Sequence, residues 1–338
     1  MSNLANRLAG ALKKGGVASD EQKDTGLFLS TGMPNVDHEL SGKYTGGGLK
    51  SARIVEIAGP ESSGKTLLAQ HVMKEAQKAG GAAAFHDHER SFMPHLFEAF
   101  GGDASEGIFT LRKPRTFEES LDQSIDWMTS IREAEIIPFE APLVVAFDSL
   151  HSMVPAANME RDKSKSSNMK EKLALAAATS SEFPAFAQFV EENNVLAIFL
   201  NQLRTKPGVV YGDPRYTPGG DAINFYASVR LFLSRSMERD KKTKEVTGQT
   251  IKMESIKNKT YPPFKKAEWV FKFNDEGTGY IDLIDTMIGH LLDRGLLEQS
   301  GAYIAWEGKK YYRDPLVKAL GTAPDAAMKK LVAIAEGK

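Results

Sequence analysis

A mostly parallel, twisted α/β sheet is the fold that this 338-residue sequence predicts, and three observations predict it. Short, nearly continuous apolar runs recur at Arg53–Ala58, Ala82–Asp87, Leu143–Asp148 and Val195–Leu200. Such runs suit strands covered on both faces. Longer helix-period stretches lie between them, which is the signature of βαβ units. The length leaves room for one large core with one or two small satellites, because single cores rarely grow past about 250–300 residues.

The elements follow in order. Residues 2–14 form an expected amphipathic helix, with Leu4, Leu8, Ala11 and Leu12 near helical spacing. The polar stretch Gly15–Thr25 is expected to be a linker. Gly64–Gly80 carries a helical pattern. So does Phe117–Ile131, where Phe117, Leu121, Ile125, Met128 and Ile131 recur at three- and four-residue steps. After Ala222 the pattern changes. FYASVRLFLSR, TIKMESIKNK and AEWVFKFN read as strands without intervening helices, so antiparallel strands are expected to extend one sheet edge. The turn-forming DEGTG at 275–279 marks a boundary. The expected organisation is an N-terminal helix and linker over 1–35, a core over 36–278, and a small α+β C-terminal domain over 279–338.

Composition excludes several classes. No apolar run approaches the ~18 residues of a membrane span, and the N-terminus has no signal-peptide core or cleavage site. The chain has no cysteine, so disulfides and cysteine zinc sites are excluded, and a cytoplasmic location is expected. The formal net charge is −1, so any nucleic-acid surface must be a local patch.

The chemistry concentrates in one motif. Gly59-Pro60-Glu61-Ser62-Ser63-Gly64-Lys65-Thr66 matches G-x-x-x-x-G-K-[ST] between the strand RIVEIA and a helical run. Glycines let backbone N–H groups turn inward around phosphate oxygens, and the helix adds its positive N-terminal end. Lys65 can reach β- and γ-phosphates, and the Thr66 hydroxyl can ligate Mg²⁺. Asp148 ends the buried run LVVAFD at the carboxyl end of a strand, where open α/β sheets place ligands. It is expected to support the metal through water, although an Asp there can also cap a helix. Glu89 closes AAAFHDHE and can orient an attacking water. His86, Asp87, His88 and Glu89 are all metal-ligating types. Strand alternation divides them, with the histidines on one face and the carboxylates on the other.

GPESSGKT, FLNQLR (199–204), PGGDAINFYASVRL (218–231) and IKNKTYPPFKKAE (256–268) together resemble the RecA recombinase family, phage-encoded members included, over about Gly26 to Trp306. The resemblance implies a RecA-type P-loop ATPase core that uses ATP and Mg²⁺. It implies filaments on single-stranded DNA, pairing with homologous double-stranded DNA, and loading proteins as further partners. Glu89 matches the catalytic glutamate, Asp148 the Walker B aspartate and Gln202 the residue that senses the γ-phosphate. Lys257 and Lys259 match a pair that reaches into the neighbouring subunit's ATP site. Arg204, Gly219 and Gly220 match positions that approach the DNA backbone, within a DNA loop at about Arg204–Ala222. Phe225 resembles an interface aromatic, and the N-terminal helix is expected to pack on the adjacent subunit.

The residue types suit these roles. Gln202 offers both donor and acceptor, although a buried strand-end amide would look the same. Lys257 and Lys259 alternate on a strand and project together; solvated lysines guarding an edge strand share that pattern. Residues 158–172 carry five basic and three acidic residues, and 238–266 carry nine and four. Both stretches are locally positive, as phosphate contacts require and as lysine-rich surfaces also are. Two departures stand out. Family members commonly place an aspartate and an adenine-stacking tyrosine after the catalytic glutamate, where this chain has Met93 and Leu96. Weaker adenine selectivity is therefore expected. The chain ends AIAEGK without a long acidic tail, so its control of duplex access is expected to differ. Two alternatives remain at this point: a ring-forming motor on the same core, against which PGGDAINFYASVRL and IKNK argue, and an ATP-gated DNA filament that completes no strand exchange.

Overall fold

A computed structural model describes residue 14 and residues 27–159, 168–208, 212–240 and 242–338; side chains of 168–172 are not described. The expected helix at 2–14 apart from Lys14, the linker at 15–25 and most of the basic stretch 158–172 lie outside the described residues.

The apolar runs assemble one nine-stranded sheet among the described residues. Its strands are β1 (Arg53–Gly59), β2 (Ala82–Asp87), β3 (Phe109–Arg112), β4 (Leu143–Asp148), β5 (Val195–Gln202), β6 (Val229–Arg239), β7 (Val246–Asn258), β8 (Lys266–Phe273) and β9 (Gly279–Ile281). Their order is β9-β8-β7-β6-β1-β5-β4-β2-β3. The six strands from β6 to β3 run parallel, and β7, β8 and β9 continue antiparallel. The antiparallel extension differs from expectation in one respect. The first run is split: Ala222–Tyr226 is a short helix, and the strand beginning at Val229 pairs parallel with β1. The turn at 275–279 leads into β9, which pairs with β8, so the sheet continues through Ile281.

The main helices are α1 (Pro34–Ser41), α2 (Lys65–Lys78), α3 (Pro94–Ala99), α4 (Phe117–Glu133), α5 (Asn168–Glu192), α6 (Ala222–Tyr226), α7 (Leu283–Asp293), α8 (Arg313–Leu320) and α9 (Pro324–Ala335). Alternation along the strands sorts side chains into two layers. On one face Val55, Ile57, Val144 and Ala146 meet Leu68, Val72 and Met73 of α2. On the other Val145, Phe147 and Phe199 meet Phe117 and Leu121 of α4 and Phe183 and Phe186 of α5. Helix α4 starts sharply because Thr116 accepts from the Glu119 N–H, satisfying an otherwise orphaned donor.

A third cluster builds the C-terminal unit from Ile284, Met287, Leu291, Trp306, Leu316 and Leu331, joined by Tyr44 from the core. The junction is polar at its rim. The Tyr44 hydroxyl lies 3.0 Å from His290 Nε2, and Arg294 bonds both Glu39 and His38 Nδ1. His38, Glu39 and His290 have metal-ligand chemistry, but the Arg294 guanidinium already supplies their cation.

One buried polar network ties the centre of the sheet to the loop beyond β5. Glu56 is fully buried in β1. Its Oε1 accepts from Asn201 Nδ2 at 2.9 Å and its Oε2 from Arg230 Nε at 2.6 Å. Asn201 also donates to the Pro218 carbonyl at 2.9 Å, and Arg230 to Thr217 Oγ1 at 3.2 Å. Removing one partner of a buried ion pair strands the other, at a cost of about 3–5 kcal/mol. Glu56→Ala should therefore destabilise the protein by about that amount in urea denaturation, and a loss below about 1 kcal/mol would contradict this reading.

Candidate active site

The site lies where four parallel strands end. Register pairs Gly59 with Gln202 on adjacent β1 and β5, and Asp87 with Asp148 on β2 and β4. Residues far apart in sequence thus arrive at one edge because their strands run in step.

Residues 59–64 turn from β1 into α2. Gly64 takes φ +89°, a backbone shape that disfavours side chains, and an added Cβ would meet Ile251 Cδ1 at 2.6 Å. At Gly59 a Cβ would lie 2.4 Å from Ser63 Oγ. The loop therefore closes tightly on itself. Lys65 bends back over it, donating to the Gly59 and Pro60 carbonyls at 3.2 and 2.8 Å. Burial lowers the Lys65 pKa, while Asp148, Glu89 and Glu61 favour its charge. Ser63 Oγ is buried without a hydrogen-bond partner among the described residues. An unsatisfied hydroxyl inside a glycine-closed loop at a helix N-terminus fits a phosphate oxygen.

Thr66 Oγ1 donates to Asp148 Oδ2 at 2.8 Å. Burial pushes the Asp148 carboxyl up to about 6, opposed by the Thr66 bond and reinforced by Glu89. A hydroxyl and a buried carboxylate at the mouth of a phosphate loop are a hard-oxygen pair suited to Mg²⁺. Glu89 lies just beyond β2, exposed, with Ser149 Oγ bonded to its Oε1 at 2.5 Å. The backbone beneath it is pinned, since the His88 and Glu89 N–H groups both donate to the Asp148 carbonyl. The H-D-H-E group divides as alternation predicts. His86 and His88 meet Ser124 and Ser120 of α4 at 3.2 and 2.5 Å, and Asp87 accepts from the Ser91 and Phe92 N–H groups.

A second cluster lies at the far end of β7. A bulge in the β6–β7 pairing sets Lys257 opposite Arg230. Lys257 Nζ donates to the Asn224 and Phe225 carbonyls at 2.6 and 2.9 Å, and Lys259 Nζ lies 5.8 Å from the centre of the Phe225 ring. Burial, then Lys259 and Arg230, lower Lys257 to about 8. Its charged neighbours are Lys259, Arg230 and Glu56, whereas those of Lys65 are Asp148, Glu89 and Glu61. The two lysine groups of one chain are separate. Phe225 is 69% exposed, unusual for a phenylalanine on a short helix beside a sheet.

Residues 10–278 match the family model described as the RecA N-terminal domain. The chain belongs to the RecA family. Similar RecA proteins include that of Chloroherpeton thalassium, 36% identical over 90% of this chain and 79% of the relative. That of Clostridium acetobutylicum is 35% identical over 82% and 73%, and that of Lactobacillus delbrueckii subsp. bulgaricus is 34% identical over 94% and 88%. The sheet and its P-loop form the RecA-type core.

The other positions that the resemblance singled out have these surroundings. Gln202 ends β5, its N–H held by Asn201 Oδ1. Arg204 pairs with Tyr216 in a small hairpin, Arg204–Thr205 with Arg215–Tyr216, which the Gly- and Pro-rich sequence of the loop concealed. Gly219 offers its carbonyl to Thr179 Oγ1 of α5 at 2.8 Å, and a Cβ on Gly220 would meet Ala176 Cβ at 2.7 Å. Met93 precedes α3 and is half exposed, and Leu96 lies in its first turn. Sequence reasoning missed Glu56, Asn201 and Arg230, and also Ser149 and His151. The clue for the last two was a polar Ser-Leu-His-Ser run directly after an otherwise apolar strand.

The Asp148 carboxyl carries a sign. Raised to about 6, it is protonated below that pH and loses the charge a metal ion needs. Affinity for Mg²⁺-nucleotide should fall about tenfold per pH unit below that point, read by fluorescent-nucleotide titration. Asp148→Asn should remove that slope; an unchanged slope in the variant would assign it to another group.

Proposed function

We propose that this RecA-family chain is a DNA-dependent ATPase that assembles on single-stranded DNA and pairs it with homologous duplex. The observation that carries the reading is the pair of separate half-sites on one chain. One is the phosphate loop with Thr66, Asp148 and Glu89. The other is Lys257 and Lys259 around an exposed Phe225. A head-to-tail contact between copies would bring the lysine pair of one to the phosphate loop of the next. Such contacts generate rings or helical filaments.

In this reading the loop N–H groups, Ser63 and Lys65 bind the phosphates of ATP. Thr66 and Asp148 hold Mg²⁺, which when bound neutralises charge on the β- and γ-phosphates. Glu89 orients a water and takes its proton as the water oxygen bonds to the γ-phosphorus and the bond to the β–γ bridging oxygen breaks. Gln202 senses the γ-phosphate. Because Asn201 holds both the Gln202 N–H and the Pro218 carbonyl, a shift at Gln202 would reach Arg204, Gly219 and Gly220 by a short path. Those residues would hold DNA phosphates, leaving base pairing between strands to read sequence. Lys257 and Lys259 would neutralise developing phosphate charge in the neighbouring subunit, as an arginine finger does. No described helix is long and apolar enough to cross a membrane, and we place the protein in the cytoplasm with the DNA it acts on.

Strand exchange with homologous and heterologous duplex tests the whole reading. Product from the homologous pair alone is expected, and Lys257→Ala with Lys259→Ala should abolish it while leaving nucleotide binding by the free subunit intact. Filaments without product would favour an ATP-gated DNA-binding protein instead, and closed rings a motor.

A further inference from the structure

Glu89 enters the site with one oxygen already committed. Ser149 Oγ lies 2.5 Å from Glu89 Oε1, and Ser152 Oγ lies 3.4 Å from the same oxygen. His151 Nδ1 lies 2.7 Å from Ser149 Oγ and 3.9 Å from Glu89 Oε1. Ser149 follows β4 directly, and His151 and Ser152 lie in the next turn, Leu150–Ser152. An ionised carboxylate only accepts, so the Ser149 hydroxyl proton is directed at Glu89. Ser149 Oγ then has only lone pairs to offer His151, which requires a proton on Nδ1. The donors line up from His151 Nδ1–H to Ser149 Oγ–H to Glu89 Oε1.

We propose that His151 is a positioning residue for ATP hydrolysis, which acts through Ser149 to pin Glu89 Oε1 and leave Oε2 for the attacking water. This rests on the functional reading above, which gives Glu89 the water. The geometry suits the task. A carboxylate on an exposed bend is free to rotate about its last torsion, and every wrong rotamer removes the water's acceptor. A serine hydroxyl alone can swing between partners, whereas one held from behind by a half-buried imidazole has a single useful direction. The His151 side chain is 16% exposed, so the ring is held in place. Burial lowers its pKa, with Arg204 and Lys65 acting the same way and Glu89 and Glu61 opposing. This lowering favours the neutral ring, and the contact with Ser149 Oγ puts its proton on Nδ1.

The test separates the two ring nitrogens. An asparagine amide nitrogen sits at the level of Nδ1, and a glutamine amide reaches the level of Nε2. Hydrolysis of ATP by the full chain on saturating single-stranded DNA is measured for wild type, His151→Ala, His151→Asn and His151→Gln. Binding of a non-hydrolysable ATP analogue and thermal melting are followed in parallel. His151→Ala should lower kcat on the order of tenfold with KM nearly unchanged. His151→Asn should recover most of that loss and His151→Gln little of it. Wild-type kcat in His151→Ala overturns the proposal, and so does equal rescue by glutamine and asparagine. If His151→Ala does not fold, the contrast between Asn and Gln decides alone. Absence of hydrolysis by the wild type on DNA would overturn the functional reading and this inference together; hydrolysis that ignores residue 151 overturns only the inference.

Discussion

The parallel register of the central strands is the constraint on which the rest of this structure depends. Gly59 is in step with Gln202, and Asp87 with Asp148, so the phosphate loop, Asp148 and Gln202 end on one edge. A one-residue slip in any of these strands would send every side chain to the opposite face. Packing opposes the slip: the large Leu143, Val145 and Phe147 fill one layer and the smaller Val144 and Ala146 the other, so exchanging the two faces would mismatch their volumes.

The same edge connects chemistry to the loop beyond β5. Glu56, Asn201 and Arg230 form a buried polar link across β1, β5 and β6, and its outer bonds hold Thr217 and Pro218. Apolar residues could fill this space and would pack as well. What they could not do is tie the backbone that precedes Gly219 and Gly220 to the strand that carries Gln202. The network gives the loop a fixed root beside the phosphate loop, while residues 205–208 and 212–213 are exposed.

Much of this was readable in the sequence where burial on both faces fixes the pattern. Leu143–Asp148 and Ala82–Asp87 were predicted with their observed ends, and the loop 59–66 sits between its expected strand and helix. The direction of β6 was not readable, because its residues suit either a parallel or an antiparallel neighbour and the choice is tertiary. The hairpin Arg204–Thr205 with Arg215–Tyr216 hid within turn-rich sequence. The roles of Glu56 and His151 were equally hidden. A glutamate inside RIVEIA and a histidine after a strand have no meaning until their partners, 145 and 174 residues away for Glu56 and 60 away between Ser149 and Glu89, are placed.

Coupling between nucleotide chemistry at the loop and DNA at the proposed surface beside it is read by measuring ATP hydrolysis with and without single-stranded DNA, for wild type and for Lys65→Ala. The account predicts a wild-type rate that rises several-fold on DNA and a Lys65→Ala rate at background in both conditions. Equal wild-type rates with and without DNA, or DNA-stimulated hydrolysis in Lys65→Ala, would contradict it.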